Sequence, residues 1–419
     1  MQKLYIAGTP LSENMHHQNV LKNIKPTRKE EQEIKRVAAK IIRSLKIKKT
    51  KAVLGGSLAK GTWLKDNHDI DIYVKFNQKF YAGMDISKIL QDHVKDVCVV
   101  HGSRDYFQME KKGYTIELIP IMDIKNVEHA ENITDISPFH TKWVRKQKRY
   151  TNDIRLAKAF AKANELYGAE SYIKGFSGYA LEVLTIHYKG FDALLKNVAQ
   201  WKSREVIDPL KHHKGKVQLN EAKMHAPLIL VDPVQATRNV TAVISHEKYQ
   251  LFIKKARDYL KQPLETFFFK EQFSLERIMK KKQGKLLCLK LKPLEGKRDV
   301  VGAKLLKSFE FLKKELETHD FIIKDSGWHW DEMALVWFVI EDKPLPSLVK
   351  HVGPPVRENE RLEHFKEKWK DKDVRIENGV SYVFLERKYP KPEELVTELL
   401  TQEYIIQRVA QVLEQKVYE

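Results

Sequence analysis

The sequence predicts a multidomain α+β protein, with a mixed sheet and helices in residues 1–138, a helical region in 139–265 and an α+β region in 266–419. Two observations support this division. Apolar residues alternate in short runs before about residue 139, recur at helical spacing through the middle, and alternate again beyond the basic run 280–285. The length of 419 residues is also enough for two to four domains with a substantial core.

The N-terminal region begins with a helix predicted over residues 27–46. Thr27 and Glu30 form a Thr-x-x-Glu capping box, and apolar residues follow at helical spacing. The elements after this helix are short and predict a mixed sheet. They are a strand at 52–54, a turn and short helix at 55–61, and strands at 68–76, 96–101, 106–110 and 114–121.

The middle region has the spacing of helices, which we expect at residues 153–166, 178–188, 191–202 and 239–260. The last region mixes both types of element. It is predicted to contain strands at 286–291, 320–324 and 333–340, helices at 301–317 and 359–369, a hairpin ending in 380–386 and a terminal helix from Pro392.

The chain is strongly basic, with 75 Lys and Arg against 56 Asp and Glu and a net charge of +19. Such an excess suggests an acidic partner, most simply a nucleic acid. A soluble protein kept apart by its own charge, or a lysine-rich genome, would also explain it.

The two cysteines, Cys98 and Cys288, form neither a disulfide framework nor a Cys-x-x-Cys zinc site. This pattern favours a reducing cytoplasm. The N-terminus lacks a long apolar signal segment, and the longest apolar run, residues 333–340, is too short to cross a bilayer. We therefore expect a soluble cytoplasmic protein with no membrane partner.

A pair of acids lies in the predicted strand at 68–76. Residues two apart in a strand face the same side, so Asp69 and Asp71 present two carboxylates on one face while Ile70 and Ile72 point to the core. Hard oxygen ligands of this kind suit Mg²⁺, which completes its shell with water and substrate phosphates. A solvated Asp-x-Asp at a strand end is a common alternative.

The residues before this strand are suited to phosphate. In Gly55-Gly56-Ser57, small residues let backbone N–H groups and one hydroxyl approach an anion closely, and Lys60 and Lys65 follow. An ordinary turn is the alternative. A Walker P-loop is excluded, because the chain has Thr62 and Trp63 where Lys and Ser or Thr are required.

A third acid would complete a two-metal site. Glu117 lies on a predicted strand whose neighbours Ile116 and Leu118 point to the opposite face. Two ions about 3.5 to 4 Å apart can lower the pKa of an attacking hydroxyl and stabilise a leaving pyrophosphate, which is nucleotidyl transfer. Glu110 and Asp123 remain alternatives for the third acid.

With Gly56-Ser57, Asp69-Ile-Asp71 and a distal acidic strand, the N-terminal region resembles the polymerase-beta-like nucleotidyltransferase superfamily. Further motifs make nearly the whole chain similar to the archaeal, class I CCA-adding enzymes. In chain order these motifs are Lys25-Pro-Thr27, Lys60-Gly-Thr-Trp-Leu-Lys65, Ser137-Pro-Phe-His140, Arg155-Leu-Ala-Lys158, Leu166-Tyr-Gly-Ala-Glu170, Gly175-Phe-Ser-Gly-Tyr179, Asp232-Pro-Val234, Arg238-Asn-Val240 and His351-Val-Gly-Pro-Pro355.

The resemblance implies a catalytic N-terminal domain, a central domain that binds nucleotide and tRNA, and a C-terminal body and tail that bind tRNA. It implies template-independent addition of C, C and A to the tRNA 3′ end from CTP and ATP, with release of pyrophosphate. Mg²⁺ would be the cofactor, and the partners would be ATP, CTP and the acceptor end and stem of tRNA. The sequence is compatible with a monomer and with a homodimer.

The resemblance also implies roles for residues of the N-terminal region. Asp69, Asp71 and Glu117 would be the catalytic acids and would hold Mg²⁺, with the metal near Glu117 activating the terminal 3′-hydroxyl. Ser57, next to Gly56, and Lys60 would contact the triphosphate. Two positions depart from the family pattern, because Lys60 stands where Arg is frequent and Glu117 stands where Asp is usual. A lysine there supplies a point charge without a bidentate fork.

In the second region, His140, Lys158 and Tyr167 match nucleotide contacts of the family, and Arg238 matches an arginine that reads the incoming base. The residues alone leave other roles open. Lys158 could be a solvated helix charge, His140 could cap a helix, Tyr167 could fill the core and Arg238 could form an interdomain ion pair.

RNA contacts are expected from a turn at 175–179 and from the basic segments 211–216, 280–285 and 361–372, through shape and backbone rather than sequence. Trp328 and Trp330 could stack on bases, although two tryptophans by a strand are more often packed in a core. The residues 351–355 are predicted to form a rigid turn.

Two alternatives to CCA addition stay open. One is another member of the superfamily, such as a poly(A) polymerase or an oligoadenylate synthetase-like protein. The other is a non-catalytic tRNA-binding relative. Retention of Asp69, Asp71 and Glu117 argues against the second, because a degenerate copy has no need of three aligned acids.

Overall fold

The computed structural model of the chain describes residues 13–65, 69–271, 273–343 and 345–419. The chain divides into two compact units, Met1–Glu271 and Gln272–Glu419. Each unit has apolar clusters of its own. The predicted multidomain α+β architecture is confirmed, whereas the boundaries predicted at residues 138 and 265 stay predictions.

The N-terminal unit begins with an α+β region. Its helices and strands are α1 (Glu13–Ile24), α2 (Arg28–Ser44), β1 (Thr50–Leu54), α3 (Gly56–Lys60), β2 (Asp69–Asn77), α4 (Gln78–Tyr81), α5 (Ile86–Gln91), β3 (Cys98–Val100), β4 (Tyr106–Lys111) and β5 (Tyr114–Asp123). The unit continues with mainly helical elements. They are α6 (Ser137–Lys146), α7 (Thr151–Ala163), α8 (Gly178–His187), α9 (Phe191–Val198), β6 (Glu205–Ile207), β7 (Leu228–Leu230) and α10 (His246–Lys261).

The sheet of the α+β region is mixed, as predicted. Its described strands lie in the order β1-β2-β5-β4-β3, and β2 and β5 are the parallel pair while the other neighbours are antiparallel. Ile70, Ile72 and Val74 of β2 are fully buried in the cluster that also includes the apolar face of α2. The predicted alternation along β2 is therefore confirmed, although His68, the predicted first residue of this strand, lies outside the described residues.

The capping box of α2 is present as the sequence predicts. The Thr27 N–H donates to Glu30 Oε2 at 2.7 Å, and the Glu30 N–H donates to Thr27 Oγ1 at 3.2 Å. Two N–H groups that lack partners inside the helix are satisfied in this way. A defined start of α2 positions its buried residues Ile34, Val37 and Ile41 over the sheet.

The helix predicted over residues 239–260 is wrong in its first part. It begins at His246, after Ser245, whose hydroxyl accepts a hydrogen bond from the Lys248 N–H at 3.1 Å. The preceding Asn239 side chain accepts instead from the backbone N–H groups of Leu230 and Thr241 at 3.0 and 2.9 Å. Asparagine competes in this way with helical hydrogen bonding, so the segment forms a buried turn.

The turn at 175–179 is used inside the protein. The N–H groups of Gly175 and Phe176 donate to the carbonyls of Gly168 and Leu166, both at 2.7 Å, and Phe176 is fully buried. The Ser177 hydroxyl caps α8 by accepting from the Ala180 N–H at 3.1 Å. These backbone groups already have partners, so the prediction that they contact RNA phosphates is not supported.

The C-terminal unit contains two antiparallel sheets with helices. Its elements are α11 (Leu275–Lys281), β8 (Lys285–Lys292), α12 (Arg298–Thr318), β9 (Ile323–Trp330), β10 (Ala334–Ile340), β11 (Leu348–Pro355), α13 (Asn359–Lys368), β12 (Arg375–Glu377), β13 (Val380–Glu386), α14 (Pro392–Leu400), α15 (Glu403–Ile406) and β14 (Gln411–Tyr418). One sheet has the order β14-β8-β10-β9 and the other has the order β11-β13-β12.

Two predictions in this unit are wrong. The residues 351–355 belong to the strand β11, which pairs only with β13 and so accommodates Pro354 and Pro355 at a sheet edge. The helix from Pro392 is not terminal, because the chain continues into β14, which pairs with β8. The alternation in β14 is weak, and its pairing with a distant strand decides its conformation.

The tryptophans considered for base stacking lie within β9. Trp328 and Trp330 pack against the apolar cluster of this unit. The Arg298 guanidinium lies 4.5 Å from the centroid of the Trp330 ring. This arrangement favours the packing alternative that the sequence left open. Within the described ranges, no helix combines the length and apolar character needed to cross a bilayer.

Candidate active site

Asp71 and Glu117 lie opposite each other on the parallel strands β2 and β5. The Gly55 N–H donates to the Asp71 carbonyl at 2.7 Å, which fixes the backbone at this point. The Gln108 side chain, from β4, donates to Glu117 Oε1 at 2.9 Å and orients that carboxylate. Strand register therefore brings together two of the three predicted acids.

The alternatives to Glu117 are placed elsewhere. Glu110 lies on β4, where it is exposed and accepts a hydrogen bond from the Thr115 hydroxyl at 2.7 Å. Asp123 lies at the far end of β5, opposite Asn77, and pairs with Lys75 at 2.5 Å. Neither is in register with Asp71.

The carboxylates of Asp71 and Glu117 disfavour each other's charge. Burial raises the pKa of Asp71, and the negative charge of Asp69 raises it further. Burial and the charge of Asp71 raise the pKa of Glu117 to about 7. Two hard, mutually repelling oxygen donors are the chemical environment that a divalent cation would stabilise. The residues present thus fit a metal ion.

Asp69 begins β2 and is exposed, opposite Thr115 of β5. It is close enough to Asp71 for its charge to affect that residue's pKa. In the part of the chain that the structure describes, no three His, Cys, Asp or Glu side chains already form a group that could enclose an ion. The shared site of all three acids stays a prediction.

The glycine at position 56 is required by the acid beside it. Gly56 has a φ of +54°, and a Cβ built there would lie 1.5 Å from Asp71 Oδ2. Ser57 follows in the short helix α3, where it is half-buried. The backbone of this turn therefore runs directly against the Asp71 carboxylate, as the predicted phosphate role of Gly56 and Ser57 requires.

Lys60 and Lys158 meet at a residue that sequence analysis missed. Glu182 of α8 is 1 % exposed, and its two carboxylate oxygens bind Lys158 Nζ at 2.7 Å and Lys60 Nζ at 2.8 Å. The Thr62 hydroxyl donates to Glu182 at 2.6 Å. The structure thus brings the two predicted phosphate ligands together from α3 and α7.

The electrostatics of this cluster are set by burial and ion pairing. Burial would raise the pKa of Glu182, but the charges and hydrogen bonds of Lys158 and Lys60 lower it to about 2. Burial lowers the pKa of Lys158, and the Glu182 carboxylate opposes that shift. Glu182 is therefore an anion throughout the neutral range.

Tyr167 lies beside the same cluster. A Cβ at Gly178 would meet the Tyr167 hydroxyl at 2.9 Å and Lys158 Cε at 3.5 Å. The half-buried Tyr167 ring also lies 5.1 Å from Lys162 Nζ. Gly178, at the start of α8, leaves the space that the tyrosine and lysine side chains share.

His140 and Arg238 share a second buried anion. Asp232 is fully buried and accepts hydrogen bonds from His140 Nε2 at 2.9 Å, the Tyr179 hydroxyl at 2.9 Å and Arg238 Nη1 at 2.8 Å. Burial would raise the pKa of Asp232, but the His140 hydrogen bond and charge and the Arg238 charge lower it to about 2. The half-buried Arg238 thus has a carboxylate partner, as its ion-pair alternative predicted.

The two clusters adjoin each other through Tyr179. Lys60 Nζ lies 5.1 Å from the centroid of the Tyr179 ring, whose hydroxyl donates to Asp232. Arg155 binds the nearby loop by donating to the carbonyls of Trp63 and Gly61 at 3.1 and 2.7 Å. Its role is to hold the segment between α3 and β2 against α7.

Sequence analysis missed Glu182 and did not assign roles to Asp232 or Tyr179. Glu182 had a signal, because it is the one acidic residue in an otherwise apolar predicted helix. A charge on a buried helix requires a buried partner. The partner's identity depends on tertiary contacts, since Lys60 lies 122 residues away.

Family models match three parts of the chain. The nucleotidyltransferase domain model matches residues 34–140. The model of the tRNA nucleotidyltransferase second domain matches 152–269, and that of the CCA-adding enzyme C-terminal domain matches 291–418. The first two matches contain the clusters described above.

Curated relatives match over most of their length. A CCA-adding enzyme of Nanoarchaeum equitans is 37 % identical over 346 residues, which are 80 % of this chain and 84 % of the relative. A CCA-adding enzyme of Methanosarcina mazei is 30 % identical over 407 residues, which are 91 % of this chain and 88 % of the relative.

A solved structure of the Cid1 poly(U) polymerase, a variant bound to MgATP, has a TM-score of 0.50 and 14 % sequence identity. It covers 62 % of this chain and 99 % of that chain. At this identity the likeness concerns the fold alone. The match of all three family models in sequence order, with 37 % identity over four-fifths of the chain, shows that the protein belongs to the CCA-adding enzyme family of tRNA nucleotidyltransferases.

Proposed function

We propose that this enzyme adds C, C and A to the 3′ end of tRNA from CTP and ATP, without a template, and releases pyrophosphate. The observation that carries the proposal is the pairing of Asp71 and Glu117 across β2 and β5, next to a turn that only glycine can form. The Lys60 charge lowers the pKa of Asp71, so cations and acids belong to one electrostatic environment.

Asp69, Asp71 and Glu117 are the residues that would hold divalent ions, and we propose Mg²⁺. Bound there, such ions lower the pKa of an attacking hydroxyl and stabilise the leaving pyrophosphate. The contribution of the chain is to place two carboxylates on adjacent strands, with Gln108 orienting Glu117. Burial of these acids makes them strong ligands for a cation.

The triphosphate would be held by the turn at Gly56-Ser57 and by Lys60 and Lys158. Small residues in the turn allow backbone N–H groups to approach phosphate oxygens. Lys60 and Lys158 add positive charge from α3 and α7, and the Tyr167 hydroxyl lies beside Lys158. Three elements would thus surround the phosphates and exclude water.

The nucleoside would lie toward His140 and Arg238. Both side chains are oriented by Asp232, which leaves the remaining Arg238 N–H groups to bond a base edge. The His140 and Tyr179 rings have centroids 4.2 Å apart and form an aromatic wall next to Lys60. A fixed guanidinium could discriminate bases by hydrogen bonding where no template base is present.

The tRNA would be bound chiefly through its backbone, by surfaces of the central and C-terminal regions. In the C-terminal unit, a cavity of about 290 Å³ is lined by Arg277, Lys281, Lys282 and Lys324. Four cations around one depression suit phosphates of an A-form stem. The proposal places the enzyme in the cytoplasm and keeps the division at residues 138 and 265. It also keeps the homodimer as a hypothesis, which sedimentation analysis tests.

The proposal is tested by incubating the enzyme with tRNA that lacks its 3′ end and with each nucleotide separately and together. We expect incorporation limited to C, C and A. Asp71→Asn should lower incorporation by at least about 10³-fold, because it removes a charge required at the reacting atoms. It should leave tRNA binding unchanged.

The matched control is Asp123→Asn on the same sheet, which alters an acid opposite Asn77 and should retain activity. Long homopolymers would favour a poly(A) or poly(U) polymerase instead. Full activity of Asp71→Asn would refute the role of these acids.

A further inference from the structure

Glu182 is the lone acid of α8 and connects three elements. Its Oε1 accepts hydrogen bonds from Lys158 of α7 and from the Thr62 hydroxyl, at 2.7 and 2.6 Å, and its Oε2 accepts from Lys60 of α3 at 2.8 Å. Lys158 and Thr62 are 4 % and 1 % exposed. Both oxygens of one carboxylate are therefore occupied by side chains that cannot turn to solvent.

The charges in this cluster do not cancel. Two ammonium groups, on Lys60 and Lys158, share a single carboxylate, which leaves an excess of one positive charge in a buried site. Burying an uncompensated charge is unfavourable unless an anion completes the site. The cluster is thus built to receive a further anion, and it lies at the N-terminal ends of α8 and at α3, next to Tyr167.

We propose that Glu182 is a positioning residue for the nucleotide triphosphate, because its carboxylate holds Lys60 and Lys158 charged and in place for the phosphates. This inference rests on the proposed function and deepens it. Glu182 itself does not touch the nucleotide and acts through the two lysines.

The environment of Lys158 explains why it needs this carboxylate. Burial lowers the pKa of Lys158, and the charges of Lys60 and of Lys162 on its own helix lower it as well, while Glu182 of α8 raises it. The Tyr167 hydroxyl also lies beside it, with its own pKa raised by burial. Without the carboxylate, only groups that favour the neutral amine remain. A neutral Lys158 would not hold a phosphate.

The test is Glu182→Gln, which keeps the shape of the side chain and removes its charge. In the wild type, the KM for CTP should change little between about pH 7.5 and 9, because Lys158 stays protonated. In E182Q, Lys158 should lose its proton within this range as the pH rises. The ratio of the two KM values should therefore increase at least about tenfold over the range, with kcat changing less than about threefold.

Two variants separate positioning from a purely structural role. Asp135→Asn removes another fully buried acid, one that pairs with Arg104 and accepts from the Met122 N–H at 2.9 Å. It should lower the melting temperature without creating a pH-dependent KM. The double variant K158R/E182Q should regain a flat pH profile, because arginine stays protonated.

A KM ratio that is constant with pH, or a pH dependence that persists in K158R/E182Q, would overturn the inference. Should E182Q not fold, the wild type decides. A tenfold rise of its own CTP dissociation constant between about pH 7.5 and 9 would show that Glu182 does not keep Lys158 charged. Failure of the proposed function is distinguishable, since the wild type would then incorporate no C at any pH.

Discussion

Gly56 is the residue at which the chain tolerates least change. Its φ of +54° favours glycine, and any Cβ would overlap Asp71 Oδ2. Gly61, at the other end of α3, offers a matched position, because its φ is +75° and nothing lies within 4 Å of a built Cβ. The two glycines share the backbone requirement and differ only in the carboxylate.

We predict that Gly56→Ala abolishes nucleotide incorporation, while Gly61→Ala retains it. Both should lose about 1 to 2 kcal/mol of stability from the left-handed backbone conformation. Only Gly56→Ala should also displace the Asp71 carboxylate. Incorporation rates measured beside thermal unfolding check this. Equal activity of the two variants would show that the approach of the turn to Asp71 is unimportant.

At the level of single residues, the sequence identified the chemistry but not the partners. Asp71, Lys60 and Lys158 could be named from motifs, because residue type limits what each can bind. Glu182 could not be connected to the lysines, since the two pairs span 24 and 122 residues. Nothing local specifies such contacts.

Among the elements, α2 and β2 were predictable because their signals are local. A capping box and a run of alternating apolar residues act within a few positions. The strand β14 was missed, because its burial alternates weakly and its conformation depends on pairing with β8. Val417 of β14 packs against the apolar cluster of the C-terminal unit, whereas Leu413 is 41 % exposed.

This difference predicts opposite outcomes for one substitution placed twice in β14. Val417→Asp should destabilise the C-terminal unit by about 2 kcal/mol or more, because it buries a charge without a partner. Leu413→Asp should change stability by less than about 0.5 kcal/mol. Thermal unfolding combined with limited proteolysis of the C-terminal unit measures both. Similar destabilisation by the two variants would contradict the observed face of the strand.

For the whole molecule, the net charge of +19 was the first indication of a nucleic-acid partner. We predict that tRNA affinity falls steeply with salt, because each phosphate contact releases counterions. Even two such contacts correspond to about a tenfold loss between about 50 and 200 mM salt. Lys281→Glu, at the basic cavity, should also make the dependence shallower by roughly one contact.

The control for this measurement is Lys35→Glu, a charge reversal of an exposed lysine that pairs within α2 with Glu31 at 2.6 Å. It should leave the salt dependence of binding unchanged. A salt-independent affinity would refute backbone recognition, and equal effects of the two reversals would show that the cavity has no special role.

The order of motifs, the basic charge, the capping box of α2 and the Asp-x-Asp of β2 were all present in the sequence, and they were sufficient for the fold class and the family. These features depend on residue type and on neighbours along the chain. The choice of Glu117 over Glu110 and Asp123 as the acid facing Asp71 was decided by strand register. The binding of Lys60 and Lys158 to Glu182 was decided by helix packing. Register and packing arise from contacts between distant segments, so only the tertiary structure could determine them.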